Sequence, residues 1–184
     1  MMPSSKTGCA ENKARKGRKP MGKTYVRVDD RLIHGQIVTA WCVTLNVKEI
    51  IAIDDALASN PMMQSIMTMG VPGQYNPKIV TIAQAKELMK SPIDGTRLVI
   101  TRFCRNLAEL REEIKGAEHV NIGNCSKQPD AKYGVRGIGI SQVLSFTQAD
   151  YDALEAAASD GGKVICQALP QDKERTWADL KAHF

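Results

Sequence analysis

An α/β fold, with an open, mainly parallel twisted sheet of six or seven strands and helices on both faces, is what the sequence predicts. Three observations predict it. Short β-rich runs alternate with helix-length segments from Thr24 onward. The connections are short, and Glu49–Ile53 is a continuous apolar run of the kind found in strands covered on both faces. Strand–helix alternation of this kind closes by parallel crossovers.

The elements follow in order. Tyr25–Val28 reads as the first strand, and a helix runs from about Gly35 to Leu45 after a polar turn. Glu49–Ile53 is the second strand. Asn60 and Pro61 supply an N-cap and a first-turn proline for a Met-rich helix that stops near Gly70. Lys78–Ile82 is the third strand and Ala83–Lys90 a short helix. Arg97–Thr101 is the fourth strand, followed by a helix capped by Asn106 with Glu109 at N3 and closed by Gly116. His119–Ile122 is the fifth strand, running into a loop from Gly123 to Tyr133. Residues 138–146 are strand-like. Thr147 caps a helix to about Ser159, with Asp150 placed to reach back, and Gly161-Gly162 ends it. Lys163–Gln167 is the last strand, and Arg175–Lys181 forms a short helix. Met62, Met63, Met67 and Met69 are read chiefly as core on a buried helix, with an adaptable docking surface as the other reading. Trp41, seven residues after His34, is assigned to the apolar face of the first helix.

At 184 residues, one domain with a single ordinary core accounts for the chain. No apolar run is long enough to span a bilayer, and no apolar segment follows the N-terminal basic residues as a secretory signal requires. The formal charge of +5 divides unevenly. Residues 1–23 carry seven Lys/Arg against one Glu, whereas residues 24–184 carry 18 basic and 19 acidic side chains. The domain at 24–184 is therefore nearly neutral, and the basic charge belongs to the tail. The tail has no aromatic residue and no amphipathic pattern. It is read as a disordered extension, or an upstream start with Met21 as the natural beginning, rather than as a nucleic-acid-binding arm. Five cysteines without a Cys-x-x-Cys pair suit a reducing cytosol and argue against a disulfide framework or structural zinc.

Ligands of such sheets bind beyond the carboxyl ends of the strands. This directs attention to residues 29–35, 54–60, 101–106 and 123–133. The first of these reads Asp29-Asp30-Arg31-Leu32-Ile33-His34-Gly35-Gln36. Neutral imidazole is a competent nucleophile near pH 7, and a guanidinium presents a planar fork of donors to phosphoryl oxygens. His34 and Gly35 lie where a helix begins, so free backbone N–H groups favour an anion there, and Gly35 permits close approach. Asp29 or Asp30 is placed to fix the imidazole tautomer or to hold Arg31. The alternative is a solvated surface ion network with His34 merely starting the helix. Asp54-Asp55, at the end of the second strand, is compatible with a magnesium-dependent phosphoaspartate site, though a polar strand end is the preferred reading. No nucleotide-binding glycine motif is present. One His beside two Asp residues lacks the further nitrogen ligands that zinc favours, and no cofactor is expected.

The string Val26-Arg-Val-Asp-Asp-Arg-Leu-Ile-His-Gly-Gln36 resembles the opening signature of enzyme IIB components of the mannose/fructose/sorbose family of the bacterial sugar phosphotransferase system. The resemblance extends from about Tyr25 to the C-terminus, through the strand ending at Asp54, Asn121-Ile-Gly123, and the last strand with Pro170 and Asp172. It implies phosphorylation of His34 at Nδ1, with Arg31 beside the phosphate and Asp30 as the supporting carboxylate. Gly35, Gln36 and Gly123 are the implied phosphate-binding positions, although Gly123-Asn124 stands where many relatives have two glycines. It further implies a cytoplasmic phosphotransferase at the membrane periphery, a IIA phosphoryl donor, and IIC and IID membrane subunits that present the sugar. Which sugar is taken, and whether the chain forms a homo-oligomer, is left open.

Overall fold

The computed structural model describes residues 22–126, 128–135 and 142–184. The expected disordered tail and part of the strand-like stretch at 138–146 lie outside these residues. Seven strands form one sheet in the order β3-β2-β4-β1-β5-β8-β9. They are β1 (Lys23–Asp29), β2 (Val47–Ile53), β3 (Pro77–Val80), β4 (Thr96–Thr101), β5 (Val120–Asn124), β8 (Val164–Cys166) and β9 (Arg175–Thr176). All pairings are parallel except the last, where β9 returns antiparallel to β8. A separate two-stranded ribbon pairs β6 (Tyr133–Gly134) with β7 (Ser145–Phe146). The expected α/β architecture is therefore present, with β9 as the one sheet strand the sequence reading lacked.

Side-chain alternation along these strands builds two cores. On one face Val26, Val28, Ile51, Ile53, Val99, Val120 and Ile122 meet the helical residues Ala85, Leu107, Ile114, Leu154 and Leu180. These come from α4 (Ile82–Lys90), α5 (Asn106–Glu109), α6 (Arg111–Ile114), α7 (Gln148–Ser159) and α8 (Trp177–Lys181). On the other face Ile50, Ala52, Leu98 and Ile100 pack under Leu32, Ile37 and Trp41. The chain leaving β1 thus crosses to the second face, whereas the chains leaving β4 and β5 cross to the first. Because β1 lies between β4 and β5, its carboxyl end sits where the connections part, which is where such sheets open a crevice.

Local signals account for most element ends. Thr147 and Asp150 form a capping box, as do Thr81 with Gln84 and Thr176 with Asp179. Asn60 caps α3 (Pro61–Thr68) through Met63 N–H. Three expectations change. The helix after Gly35 is not regular: Ile37–Trp41 is a π-helical turn, continued by α1 (Cys42–Thr44). The β-branched run Ile37-Val38-Thr39 weakens the α preference there. Asn106 does not cap the helix after β4. It is the first residue of α5, and its side chain donates to Thr101 Oγ1 at 2.8 Å. The N-terminal donor Arg105 N–H is met instead by Asp150 Oδ1, 45 residues away, at 2.8 Å. The methionine helix is not core, since α3 has no buried residue, and Met62 and Met69 are 74% and 80% exposed. Met62, Ile66 and Met69 share one helical face, at i, i+4 and i+7, and that face meets solvent. Trp41 is buried, as expected.

Asp150 ties three elements together, because it also accepts from Thr147 N, Thr147 Oγ1 and Gln128 Nε2. Asp150→Ala is expected to leave these donors buried and unmet, costing about 3 kcal/mol in urea unfolding.

Candidate functional site

Beyond β1 the chain turns sharply. Leu32 N donates to Asp29 O at 2.9 Å, and Leu32 takes a left-handed conformation with φ 55°. That conformation costs a branched side chain about 1–2 kcal/mol. Full burial of Leu32, with Ile33 beside it, contributes a comparable or larger amount and keeps the turn in place. The turn sends Arg31 outward, its side chain 46% exposed, and brings His34 back over the end of the strand.

Asp29 is the hub. Its carboxylate is inaccessible to solvent and accepts from three cationic or imidazole side chains. Arg27 donates from Nη2 at 2.9 Å and Nε at 3.3 Å. Arg31 donates from Nε at 3.0 Å and Nη2 at 3.2 Å, with its backbone N–H at 3.3 Å. His34 Nε2 lies 3.3 Å from Oδ2. Burial alone would raise the Asp29 pKa, but the hydrogen bonds from His34 and Arg31 and the charge of Arg27 outweigh it. The carboxyl is held well below the usual range. An ionised carboxylate only accepts, so the proton of neutral His34 resides on Nε2. Nδ1 is left with its lone pair, and among the described residues it makes no hydrogen bond.

Arg27, which the sequence reading passed over as a strand residue, is what holds Asp29. It is 1% exposed, lies 4.9 Å over the Trp41 ring, and donates to Gln167 O at 3.1 Å and Ala168 O at 3.3 Å. Trp41 Nε1 donates to the same Ala168 carbonyl at 3.0 Å. An arginine inside a central strand that must be covered on both faces was the signal available. Such a charge requires a buried partner.

The other expected site residues divide. Gln36 Oε1 accepts from Arg31 Nη2 at 3.3 Å and steadies the guanidinium. Gly35 has open space where a Cβ would project, so close approach from outside is unobstructed. Asp30, expected to be the supporting carboxylate, faces away from His34. It accepts from Asn124 Nδ2 at 2.9 Å and Ser126 N at 2.8 Å, and the carboxylate in contact with His34 is that of Asp29. Gly123, expected to touch phosphate, is buried within β5 at a register slip opposite Asp29. A Cβ there would overlap the Arg27 guanidinium and Asp29 Oδ2, so its lack of a side chain makes room for the ion pair. Asp54 caps α2 (Asp55–Ala58) and accepts from Arg102 Nε at 2.6 Å, and Asp55 accepts from Ile82 N at 2.9 Å. Both are structural, in line with the preferred reading. Arg102 Nη1 also holds the Asp30 carbonyl at 2.9 Å, an anchor the sequence did not reveal.

A cavity of about 260 Å³ opens beside Asp30, lined by Arg102, Phe103, Cys104, Cys125, Ser126 and other side chains. Among the described residues no group of three His, Cys, Asp or Glu side chains is arranged to hold a metal ion, and no helix is long and apolar enough to cross a membrane.

Two outcomes follow from this geometry. Gly123→Ala should displace Arg27 from Asp29, lowering stability by about 1–3 kcal/mol and shifting the His34 Nε2–H resonance. The depressed Asp29 pKa contributes stability that is fully present above the ordinary aspartate value of about 4 and is lost as pH falls below it. Urea midpoints should therefore decline more steeply below about pH 4 in the native protein than in Asp29→Asn, which lacks the titrating group.

The PTS system sorbose subfamily IIB component family matches residues 23–183. The fructose-specific EIIB component of Bacillus subtilis is 24% identical over 162 residues, covering 87% of this chain and 96% of that protein. The mannose-specific EIIAB component of Escherichia coli is 23% identical over 171 residues; this chain is 88% covered and spans 51% of that relative's length. Among solved structures, the IIBSor domain of the Klebsiella pneumoniae sorbose permease superposes with a TM-score of 0.74 at 22% identity, covering 88% of this chain and 97% of that one. The Thermoanaerobacter tengcongensis manxB structure gives 0.72 at 26% identity, covering 89% and 98%. With the family spanning almost the whole described chain, and the same fold in its solved members, the protein belongs to the sorbose-subfamily IIB components of the sugar phosphotransferase system.

Proposed function

We propose that the protein is a cytoplasmic phosphocarrier, in which His34 accepts a phosphoryl group on Nδ1 from a IIA donor and passes it to a sugar held by IIC and IID membrane subunits. The observation that carries this reading is the Asp29–His34 contact. It places the ring proton on Nε2 and leaves the Nδ1 lone pair to attack. Support also comes from the E. coli relative, whose name joins A and B components in one chain.

In the first transfer, Nδ1 of His34 attacks the phosphorus of a phosphohistidine on the donor. The new N–P bond forms as the donor's N–P bond breaks. In the second, a sugar hydroxyl attacks phosphorus, its proton leaves to solvent or a nearby base, and the His34 N–P bond breaks. Three roles follow for this chain's residues. Arg31 is partly exposed and tethered by Asp29 and Gln36, so its guanidinium is pre-positioned for the charge on the transferring group. Asp29 stabilises the positive ring that develops when Nδ1 carries phosphorus and Nε2 keeps its proton. Arg27 fixes Asp29 from below and stays out of solvent. Asp30 acts indirectly, by holding the turn to Asn124 and Ser126.

The test is transfer of labelled phosphoryl from a phosphorylated IIA protein. Acid-labile, base-stable label is expected on His34 and none on His34→Ala. Label of normal yield on that variant overturns the assignment. Arg31→Ala should keep its unfolding midpoint while transfer slows by roughly 10²-fold, the scale of losing one charge-stabilising donor.

A further inference from the structure

We propose that Cys104 and Cys125 form a reversible oxidation site, in which a peroxide entering the cavity beside Asp30 converts the two thiols to an intramolecular disulfide that slows phosphoryl turnover at His34. The crosslink stands on geometry alone; its effect on His34 rests on the phosphocarrier reading.

The two sulfurs are 3.7 Å apart. Cys104 lies in the turn after β4 and Cys125 directly after β5, the two strands that flank β1, and both line the 260 Å³ cavity. A disulfide requires a separation of about 2.05 Å, so the pair needs an approach of under 2 Å. The other described cysteines lack this arrangement. Cys42 belongs to the core on the opposite face of the sheet, and Cys166, which accepts from Gln142 Nε2 at 3.3 Å, does not line the cavity.

Cys125, 5% exposed against 1% for Cys104, is the more accessible of the two and the first to react. Its sulfur attacks one peroxide oxygen and the O–O bond breaks. One water leaves and Cys125 becomes a sulfenic acid. Cys104 sulfur then attacks Cys125 sulfur, the S–O bond breaks, and the hydroxyl departs with the Cys104 proton as a second water. Two thiols lose two electrons and the peroxide becomes two waters. A thiol reductant reverses the change.

The mechanical consequence is specific. Cys125 is pinned by its backbone, donating to Val143 O at 2.9 Å and accepting from Ser145 N at 3.0 Å. Closure therefore draws the Cys104 turn toward it. That turn carries Arg102, which holds the Asp30 carbonyl and Asp54. Moving Arg102 loosens the turn from which Arg31 and His34 project.

The experiment treats the full-length protein with hydrogen peroxide and maps it by mass spectrometry without reduction. A crosslink joining the Cys104 and Cys125 peptides, lost on adding dithiothreitol, is expected. Cys104→Ser should stop at a sulfenic acid on Cys125 that dimedone captures, while Cys42→Ser should crosslink like the native chain. Thiols that stay reduced, or that pair elsewhere, overturn the site. Oxidised protein should accept phosphoryl label several-fold more slowly and recover with dithiothreitol; unchanged uptake after full crosslinking overturns the regulatory half. Failure of the reduced protein to take up label counts against the phosphocarrier reading and leaves the crosslink result standing.

Discussion

The buried ion pair between Arg27 and Asp29 is the constraint on which the site depends. Both residues lie on the central strand, two positions apart and therefore on one face, with no solvent to share their charge. A buried pair is stable only when its remaining donors and lone pairs are met. Here the leftover Arg27 donors take the carbonyls of Gln167 and Ala168, and the leftover Asp29 lone pairs take Arg31 and His34. Satisfying the pair thus recruits the segment after β8 and the loop after β1 together. Trp41 closes the arrangement, stacking on Arg27 and donating to Ala168. The absence of a side chain at Gly123 gives the pair its room.

From this constraint the reactive geometry follows as a by-product of burial. A carboxylate that must stay ionised in the interior is a permanent acceptor, and a permanent acceptor selects one imidazole tautomer. The strained Leu32 aims the ring at it, and the packing of Leu32 and Ile33 in the second core offsets that strain. Arg31 stays partly in water because it reaches from the turn down to the buried Asp29 on one side and to Gln36 on the other. The site thus sets a rigid buried base beneath an accessible guanidinium.

Several features were legible from the residues alone because they are local. The cap of Thr147 with Asp150, the proline start of α3, and the apolar run of β2 each depend on neighbours within a few positions. The histidine loop was legible too, since Asp29 to Gln36 is one continuous string after a strand end. Features decided by distant partners were not. Asn106 looked like a cap, but Asp150 supplies the acceptor from another helix. The methionines looked like core, yet their helix rests on the second cluster only through Met67 and leaves Met62 and Met69 in solvent. Asp29 and Asp30 were equivalent in sequence; alternation at the strand end sends them to opposite sides, one to His34 and one to Asn124.

By itself the sequence determined the α/β class, the strand periods, most helix starts, and the identity of the histidine loop, because each follows from hydrophobic period, capping chemistry or an unbroken motif. Only the tertiary structure decided which carboxylate serves His34, why Gly123 must lack a side chain, and what Arg27 does. Those answers require residues 27, 29, 41, 123 and 167–168 to meet in one buried place. Interactions so far apart in the chain leave no periodic trace, since burial and charge pairing are properties of the assembled sheet.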